Sequence, residues 1–392
     1  MATTNQFEKA DRLKQLPPYL FVEIDKAKRK LQAEGMDVID LGVGDPDLPT
    51  PAHIIAKLKH TIDDPANHRY SFTEGIPELR KAIAEWYQRR FNVTLDPSTE
   101  VLPLLGSKEG IANLPLAVAN PGDVVLVPDP CYPPYRSSTI FAGAEPVSMP
   151  LLEENQFFPD LGALSQKAAR RAKLMFLNYP NNPTAATATA EQFQEAIALA
   201  KEYGVAIAHD AAYSEIAFDG YTPMSFLELP DAKSVGVEFH SLSKTYNMTG
   251  WRIGFACGNA KLIAALTQLK TNIDSGIFQP IQWAGIEALT GDQTPLQQAV
   301  ATYQQRRDLL VEGLANAGWQ VPKPKASFYL WARVPTKEHS ITFASRLLEQ
   351  SHVVITPGVG FGPSGEGYVR MSLTSPIERL QDAISRLAKA LA

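Results

Sequence analysis

Residues 235–258 read VGVEFHSLSKTYNMTGWRIGFACG. An apolar run at 235–239 gives way to His240-Ser241-Leu242-Ser243-Lys244, and a second apolar run, 253–256, follows Gly250-Trp251-Arg252. A short apolar run that stops in hydroxyl and charged side chains has the pattern of a buried strand ending at a ligand site. The pattern recurs upstream. The run 101–105 leads into Gly106-Ser107-Lys108-Glu109-Gly110, and 124–127 leads into Pro128-Asp129-Pro130-Cys131-Tyr132. The run 174–177 leads into Asn178-Tyr179-Pro180-Asn181-Asn182-Pro183-Thr184, and 205–208 into His209-Asp210-Ala211-Ala212-Tyr213. Helical periodicity at 190–203 and 260–269 lies between and after these runs. Strands alternating with helices predict an α/β unit with a mostly parallel sheet covered on both faces.

The C-terminal third has a different texture. An amphipathic helix at 302–317 is followed by a strand at 328–334, a helix at 341–351, strands at 353–356 and 368–372, and a closing helix at 377–390. This predicts a smaller α+β domain. A helix at 22–34 and a strand at 38–41 are expected to join it. The large domain is thus placed at 48–289, and a discontinuous small domain at 1–47 and 290–392.

Bulk properties exclude several classes. The chain has 392 residues, 45% of them hydrophobic, and a net charge of −5. No nucleic-acid or anionic-membrane partner is expected from that charge. Two cysteines, Cys131 and Cys257, are too few for a disulfide framework and read as reduced thiols of a cytoplasmic protein. The first residues carry Glu8 and Asp11 and lack the apolar stretch of a signal peptide, and no apolar run is long enough to span a bilayer.

The five strand ends offer a specific set of groups. Gly106, Ser107 and Lys108 present backbone N–H groups at a helix start, a natural anion site. Ser241 and Ser243 add hydroxyls, and Arg252 can fork onto a phosphate. Tyr132 supplies a flat face, Asp210 a carboxylate, Asn182 and Tyr213 hydrogen-bonding groups, and Lys244 an amine. A phosphate cradle, a stacking ring, a carboxylate for a pyridine nitrogen, donors for a phenolic oxygen and a lysine amine describe pyridoxal 5′-phosphate (PLP).

Ser241-Leu242-Ser243-Lys244 followed by Gly250-Trp251-Arg252-Ile253-Gly254 resembles the PLP-lysine motif of the class I and II aminotransferases. Asn181-Asn182-Pro183-Thr184, Asp210 with Tyr213, Leu41-Gly42-Val43-Gly44-Asp45-Pro46, and Tyr70 ahead of Gly75-Ile76-Pro77 match the family in order and spacing. Within the family, residues 16–21 and 238–252 most resemble the bacterial LL-diaminopimelate branch. The resemblance implies fold type I, with a mostly parallel seven-stranded sheet in the large domain. It implies transfer of an amino group from an L-amino acid to a 2-oxo acid, with LL-diaminopimelate and 2-oxoglutarate as the pair of that branch. Alanine, aromatic and other amino-acid aminotransferases stay open, as does a PLP-dependent C–S lyase. A PLP-sensing regulator would need an added DNA-binding domain.

Residue by residue, the resemblance implies that Lys244 holds the cofactor as a Schiff base and moves protons. Asp210 would keep the pyridine nitrogen protonated, Asn182 and Tyr213 would bind the ring's phenolic oxygen, and Tyr132 would stack on the ring. Gly106, Ser107, Lys108 through its N–H, Ser241, Ser243 and Arg252 would hold the phosphate. Tyr70 would reach it from the partner subunit of a homodimer. Arg370 would pair with the substrate α-carboxylate, helped by the N–H of Gly42, and Tyr19 would approach the distal end of the substrate. No metal site is expected. His209 and His240 lack ligand partners at i+3 or i+4 and read as packing histidines. Gly358-Val359-Gly360-Phe361-Gly362 opens no helix and does not read as a dinucleotide fingerprint. Where the family has Gly after Asn-Pro-Thr, this chain has Ala185, so a left-handed alanine is expected there at a cost of about 1 kcal/mol.

Overall fold

The structure, a computed structural model, describes residues 8–16, 20–71 and 73–392, with only the backbone described for 20–23. The N-terminal strand β1 (Ile39–Asp40) precedes β2 (Val101–Leu104), β3 (Val124–Asp129), β4 (Glu145–Pro150), β5 (Ala172–Asn178), β6 (Ala206–Asp210), β7 (Gly236–Ser241) and β8 (Gly254–Gly258). Strands β2 to β8 form one seven-stranded sheet in the order β2-β8-β7-β6-β5-β3-β4. All run the same way except β8, which is antiparallel to both β2 and β7. The chain between Ser241 and Gly254 holds a one-turn helix, Leu242–Thr245, too little for a parallel crossover, so β8 must return antiparallel.

Alternate residues of each strand feed opposite faces. Val124 and Leu126 join one buried cluster, Val125 and Val127 another. Strand β4 was not expected from the sequence. It lies at the sheet edge, carries two prolines and keeps most of its residues at least partly exposed, so neither apolar periodicity nor composition marks it.

The remaining strands are β9 (Tyr329–Arg333), β10 (Val353–Val354), β11 (Thr356–Pro357) and β12 (Tyr368–Ser372). Strands β11, β12 and β9 form an antiparallel sheet, and β10 pairs in parallel with β1. The single strand expected at 353–356 is therefore two pieces that serve two sheets. The expected helix at 302–317 is longer, Thr294–Asn316. A third core contains Leu41, Tyr303, Phe328, Val353 and Leu387, and also takes in Ala185, Ala212 and Tyr213 from loops of the large sheet. Ala185 does adopt the left-handed region, at φ 57°. Its buried methyl recovers part of the backbone cost by packing in that third core.

One fully buried cation braces the large unit. Lys270 Nζ lies 3.1 Å from both carboxylate oxygens of Glu109 and 2.8 Å from both of Asp274. Glu109 in turn accepts the N–H of Leu105 at 2.7 Å, immediately before the glycine that starts the helix Ser107–Val118. Lys270→Met keeps the volume but leaves two carboxylates facing each other. Because both retain some exposure, the loss should be about 2–4 kcal/mol, toward the lower end for a broken buried pair. Urea unfolding with an unchanged m-value would measure it.

Candidate active site

The carboxyl ends of β2, β3, β5, β6 and β7 meet the N-terminal strand and the small sheet around a cavity of about 260 Å³. Of the residues singled out in the sequence, Ser107, Tyr132, Asn182, Asp210, Tyr213, Ser241, Lys244 and Arg370 line it. Those from Ser107 to Lys244 are gathered because the strands of the large sheet place their loops on one edge, and Arg370 is brought to them by β12 of the small sheet.

Asp210 closes β6 at 5% exposure. Its Oδ2 accepts from Tyr135 Oη at 2.7 Å, and its Oδ1 accepts from the N–H of Ala212 at 3.3 Å. Burial pushes its carboxyl pKa up, while the Tyr135 hydroxyl pulls the other way. A buried carboxylate with donors but no cation in contact suits a ring N–H⁺.

Arg370, on β12, is 4% exposed. Its Nη1 donates to Asn182 Oδ1 and its Nη2 to the Gly42 carbonyl, both at 2.7 Å. Its Nε is buried without a partner. The guanidinium is sandwiched between the rings of Tyr329 and Phe361, 4.1 and 4.6 Å from their centroids. A buried planar cation with donors to spare is built to accept a carboxylate. Since Asn182 gives its carbonyl oxygen to Arg370, its NH₂ is left to donate toward a ring oxygen. The N–H of Gly42 is engaged by Asp40 Oδ1 at 2.8 Å, so here Gly42 meets Arg370 through its carbonyl.

Lys244 Nζ sits 3.3 Å from the Gly44 carbonyl and 5.8 Å from the centroid of the Phe328 ring. Tyr213 Oη lies 3.4 Å from Tyr329 Oη.

The anion cradle is marked by a missing side chain. Gly106, at φ 80°, starts the helix Ser107–Val118 with no side-chain cap, and a Cβ on it would come within 2.4 Å of Arg252 Nη2. Arg252 is exposed, with Nη1 on the Thr249 carbonyl and Nη2 on that of Leu105. Ser243 Oγ is 3.4 Å from the Met248 carbonyl, and the Lys108 side chain is exposed. These residues fit a cofactor phosphate, whose place the Cβ-free floor keeps open. Tyr70 is 89% exposed, and Tyr19 lies outside the described residues.

Three contributors were missed. Tyr135 lies one helical turn from Tyr132, a spacing that could have suggested it. Tyr329 gives no signal until β9 is seen beside the cavity. Glu238 interrupts the apolar run 235–239, which was a signal. It is fully buried, and its carboxylate accepts from His209 Nδ1, His240 Nε2, Tyr87 Oη, Ser225 Oγ and the N–H of Phe226, all within 2.9 Å. Burial pushes the carboxyl up, but the two histidines and their hydrogen bonds outweigh it and hold the carboxyl well below the usual range. The two histidines are thus hydrogen-bonding partners of one buried carboxylate.

The profile of the aminotransferase class I and II family matches residues 36–387. The LL-diaminopimelate aminotransferase of Syntrophobacter fumaroxidans is 57% identical over 98% of this chain and 99% of its own length. That of Dehalococcoides mccartyi is 56% identical over 96% and 97%. Among solved structures, substrate-bound BacF from Bacillus subtilis superposes with a TM-score of 0.94 at 41% identity, covering 98% of both chains. A double mutant of Thermus thermophilus aspartate aminotransferase gives 0.91 at 30% identity, covering 98% of this chain and 100% of that one.

Gly106→Ala should displace Arg252 and narrow the cradle. Losing one charge-assisted contact is worth about 2–3 kcal/mol, or roughly 30- to 150-fold in affinity. Fluorescence titration of the cofactor-free protein with PLP measures the change, with thermal unfolding as the control for folding.

Proposed function

The chain belongs to the class I and II aminotransferases, and from that premise we propose that it transfers the amino group of LL-diaminopimelate to 2-oxoglutarate, in either direction, as a cytoplasmic homodimer. It is a PLP-dependent aminotransferase of fold type I. The observation that carries the site reading is the buried guanidinium of Arg370, bonded only to neutral acceptors, in the cavity that Lys244 also lines. The choice of substrate rests on relatives of that name at 54–57% identity.

The bound cofactor supplies an electron sink conjugated to the substrate nitrogen. The chain supplies the rest. Arg370 grips the α-carboxylate and fixes which face of Cα is presented. Lys244 Nζ takes the α-proton of the donor and later delivers one to C2 of the 2-oxo acid. Asp210, kept dry at the end of β6, holds the proton on the ring nitrogen, and Asn182 and Tyr213 donate to the ring oxygen. Ser107, Lys108 N–H, Ser241, Ser243 and Arg252 hold the phosphate, and Tyr132 covers the ring. Arg370 belongs to the small domain (1–47 and 290–392) and Lys244 to the large one (48–289). A gripped substrate therefore bridges the two and favours exclusion of water.

Tyr70 is assigned to the partner's site. A tyrosine that is almost fully exposed in one chain gains a role in a dimer. Tyr19 and the stretch 70–74 are assigned to the distal end of the substrate, where diaminopimelate carries a second ammonium and carboxylate.

A panel of amino donors with 2-oxoglutarate tests the substrate. LL-diaminopimelate should give the highest kcat/KM, and alanine, tyrosine or aspartate outrunning it would overturn the assignment. Pyruvate release from cysteine conjugates without an acceptor would instead favour the lyase reading. Arg370→Lys should cost about 2–5 kcal/mol in kcat/KM for every α-amino acid, because a point charge cannot replace the fork. Mixing inactive Lys244→Ala and Tyr70→Phe chains should restore activity in hybrid dimers, and no recovery in verified hybrids would place Tyr70 within its own chain's site or outside catalysis.

A further inference from the structure

Tyr329 stands at the junction of the groups assigned above to separate tasks. It opens β9, is 3% exposed, and lines the cavity. Its ring lies against Arg370, 4.1 Å from ring centroid to guanidinium carbon. Its hydroxyl lies 3.4 Å from that of Tyr213, and the two rings meet edge to face at 5.6 Å. On a third side it abuts the backbone that carries the acceptor of Lys244. A Cβ on Gly44 would fall 2.0 Å from Tyr329 Oη, and the Gly44 carbonyl is the oxygen 3.3 Å from Lys244 Nζ.

We infer that Tyr329 is a positioning residue for the reaction: its ring fixes the plane of the Arg370 guanidinium and its hydroxyl orients the Tyr213 phenol, so the substrate clamp and the ring-oxygen donor are held as one unit. The inference rests on the roles proposed for Arg370 and Tyr213. Two of its physical components can be separated. The ring acts on the cation through its π face, which phenylalanine retains. The hydroxyl, which phenylalanine lacks, acts on Tyr213. Burial pushes the Tyr213 phenol up, and the Tyr329 hydroxyl beside it pushes the same way; Asp210 adds to this and Arg370 opposes it. Either hydroxyl of the pair can donate, and once the Tyr213 O–H is turned to the ring oxygen only Tyr329 can, which leaves the Tyr213 oxygen satisfied in that orientation. Without it, the Tyr213 O–H would be directed less firmly at the ring oxygen, and the bound cofactor would keep its proton to higher pH.

The test uses the holoenzyme and two readouts that are not turnover. One is the pH midpoint of the bound cofactor's absorbance change. The other is the Kd of 2-methylglutamate, which has no α-proton to lose. Tyr329→Phe should raise the midpoint by about 0.4–1 pH unit, the equivalent of one neutral hydrogen bond, and leave Kd within about twofold. Tyr329→Leu should also raise Kd about tenfold, as expected for a desolvated cation–π contact. Gly44→Ala, whose Cβ would fall 2.0 Å from the hydroxyl and 2.4 Å from two ring carbons, displaces the whole side chain and should raise both the midpoint and Kd if Tyr329→Leu fails to fold. An unmoved midpoint in Tyr329→Phe, or an unmoved Kd in folded Tyr329→Leu, overturns the inference. Arg370→Lys serves as the reference. If it weakens 2-methylglutamate and Tyr329→Leu does not, Tyr329 alone is misassigned. If it binds like wild type, the clamp itself is wrong and this inference falls with it.

Discussion

A guanidinium removed from water with only neutral acceptors is costly, and Arg370 is held in that condition. Its two hydrogen-bond partners are an amide and a peptide carbonyl, and its Nε has none. A carboxylate bound there would lower that cost, so the proposed role of Arg370 gains from relief of a burial penalty as well as from new attraction. The rest of the site is arranged to maintain this. Gly42 reaches Arg370 from just after β1, Asn182 from the loop after β5, and two aromatic rings from β9 and the turn after β11. Phe361 is anchored in turn, since its carbonyl accepts the N–H of Cys131 at 2.8 Å and the adjoining turn puts the N–H of Ser364 on Asp129 Oδ1 at 3.1 Å. Clamp and large sheet are thereby held in register.

Much of this could be read in the sequence because the chemistry lies where strands end. A run such as 205–208 followed by His209 and Asp210 carries its own boundary, and a parallel sheet places every such boundary on one edge. That is why Asp210, Asn182 and Lys244 could be named before their neighbours were known. The reversal of β8 was not read, although the short connection after Ser241 implied it. Strand β4 was not legible at all, because an edge strand with two prolines has neither the period nor the composition of a buried one.

The illegible part of the site consists of residues whose meaning is purely tertiary. Tyr329 lies in an apolar strand among other aromatics, and nothing in its neighbourhood along the chain distinguishes it from a core tyrosine. Glu238 is the opposite case. A carboxylate inside a buried strand is conspicuous, yet its five donors come from β6, β7, the helix Pro77–Phe91 and the turn at 225–226, which only the fold assembles. It lies on the strand face opposite Phe239, next to the residue that pairs with Asp210. His209 reaches it from the position before Asp210. This network lies one residue along β6 and β7 from Asp210 and its partner Phe239, and it stiffens the two strands against each other.

Strands β10 and β11 are separated by Ile355 alone, yet they belong to different sheets. Val354 pairs with Asp40, two residues before Gly42, and Thr356 pairs with Arg370. Five consecutive residues therefore work as a ruler between the backbone that leads to Gly42 and the strand that carries Arg370. Apart from Thr356, whose Oγ1 donates to the Gly42 carbonyl at 2.9 Å, side chains along it can vary as long as they stay buried and small enough to pack. Its length cannot, because adding or deleting one residue would slip either the pairing with β1 or the pairing with β12 and carry the Gly42 backbone out of register with Arg370. Over evolutionary time such a segment should accumulate substitutions and reject insertions, and a designer who wishes to alter the substrate range should leave its length alone and work on the loops around it.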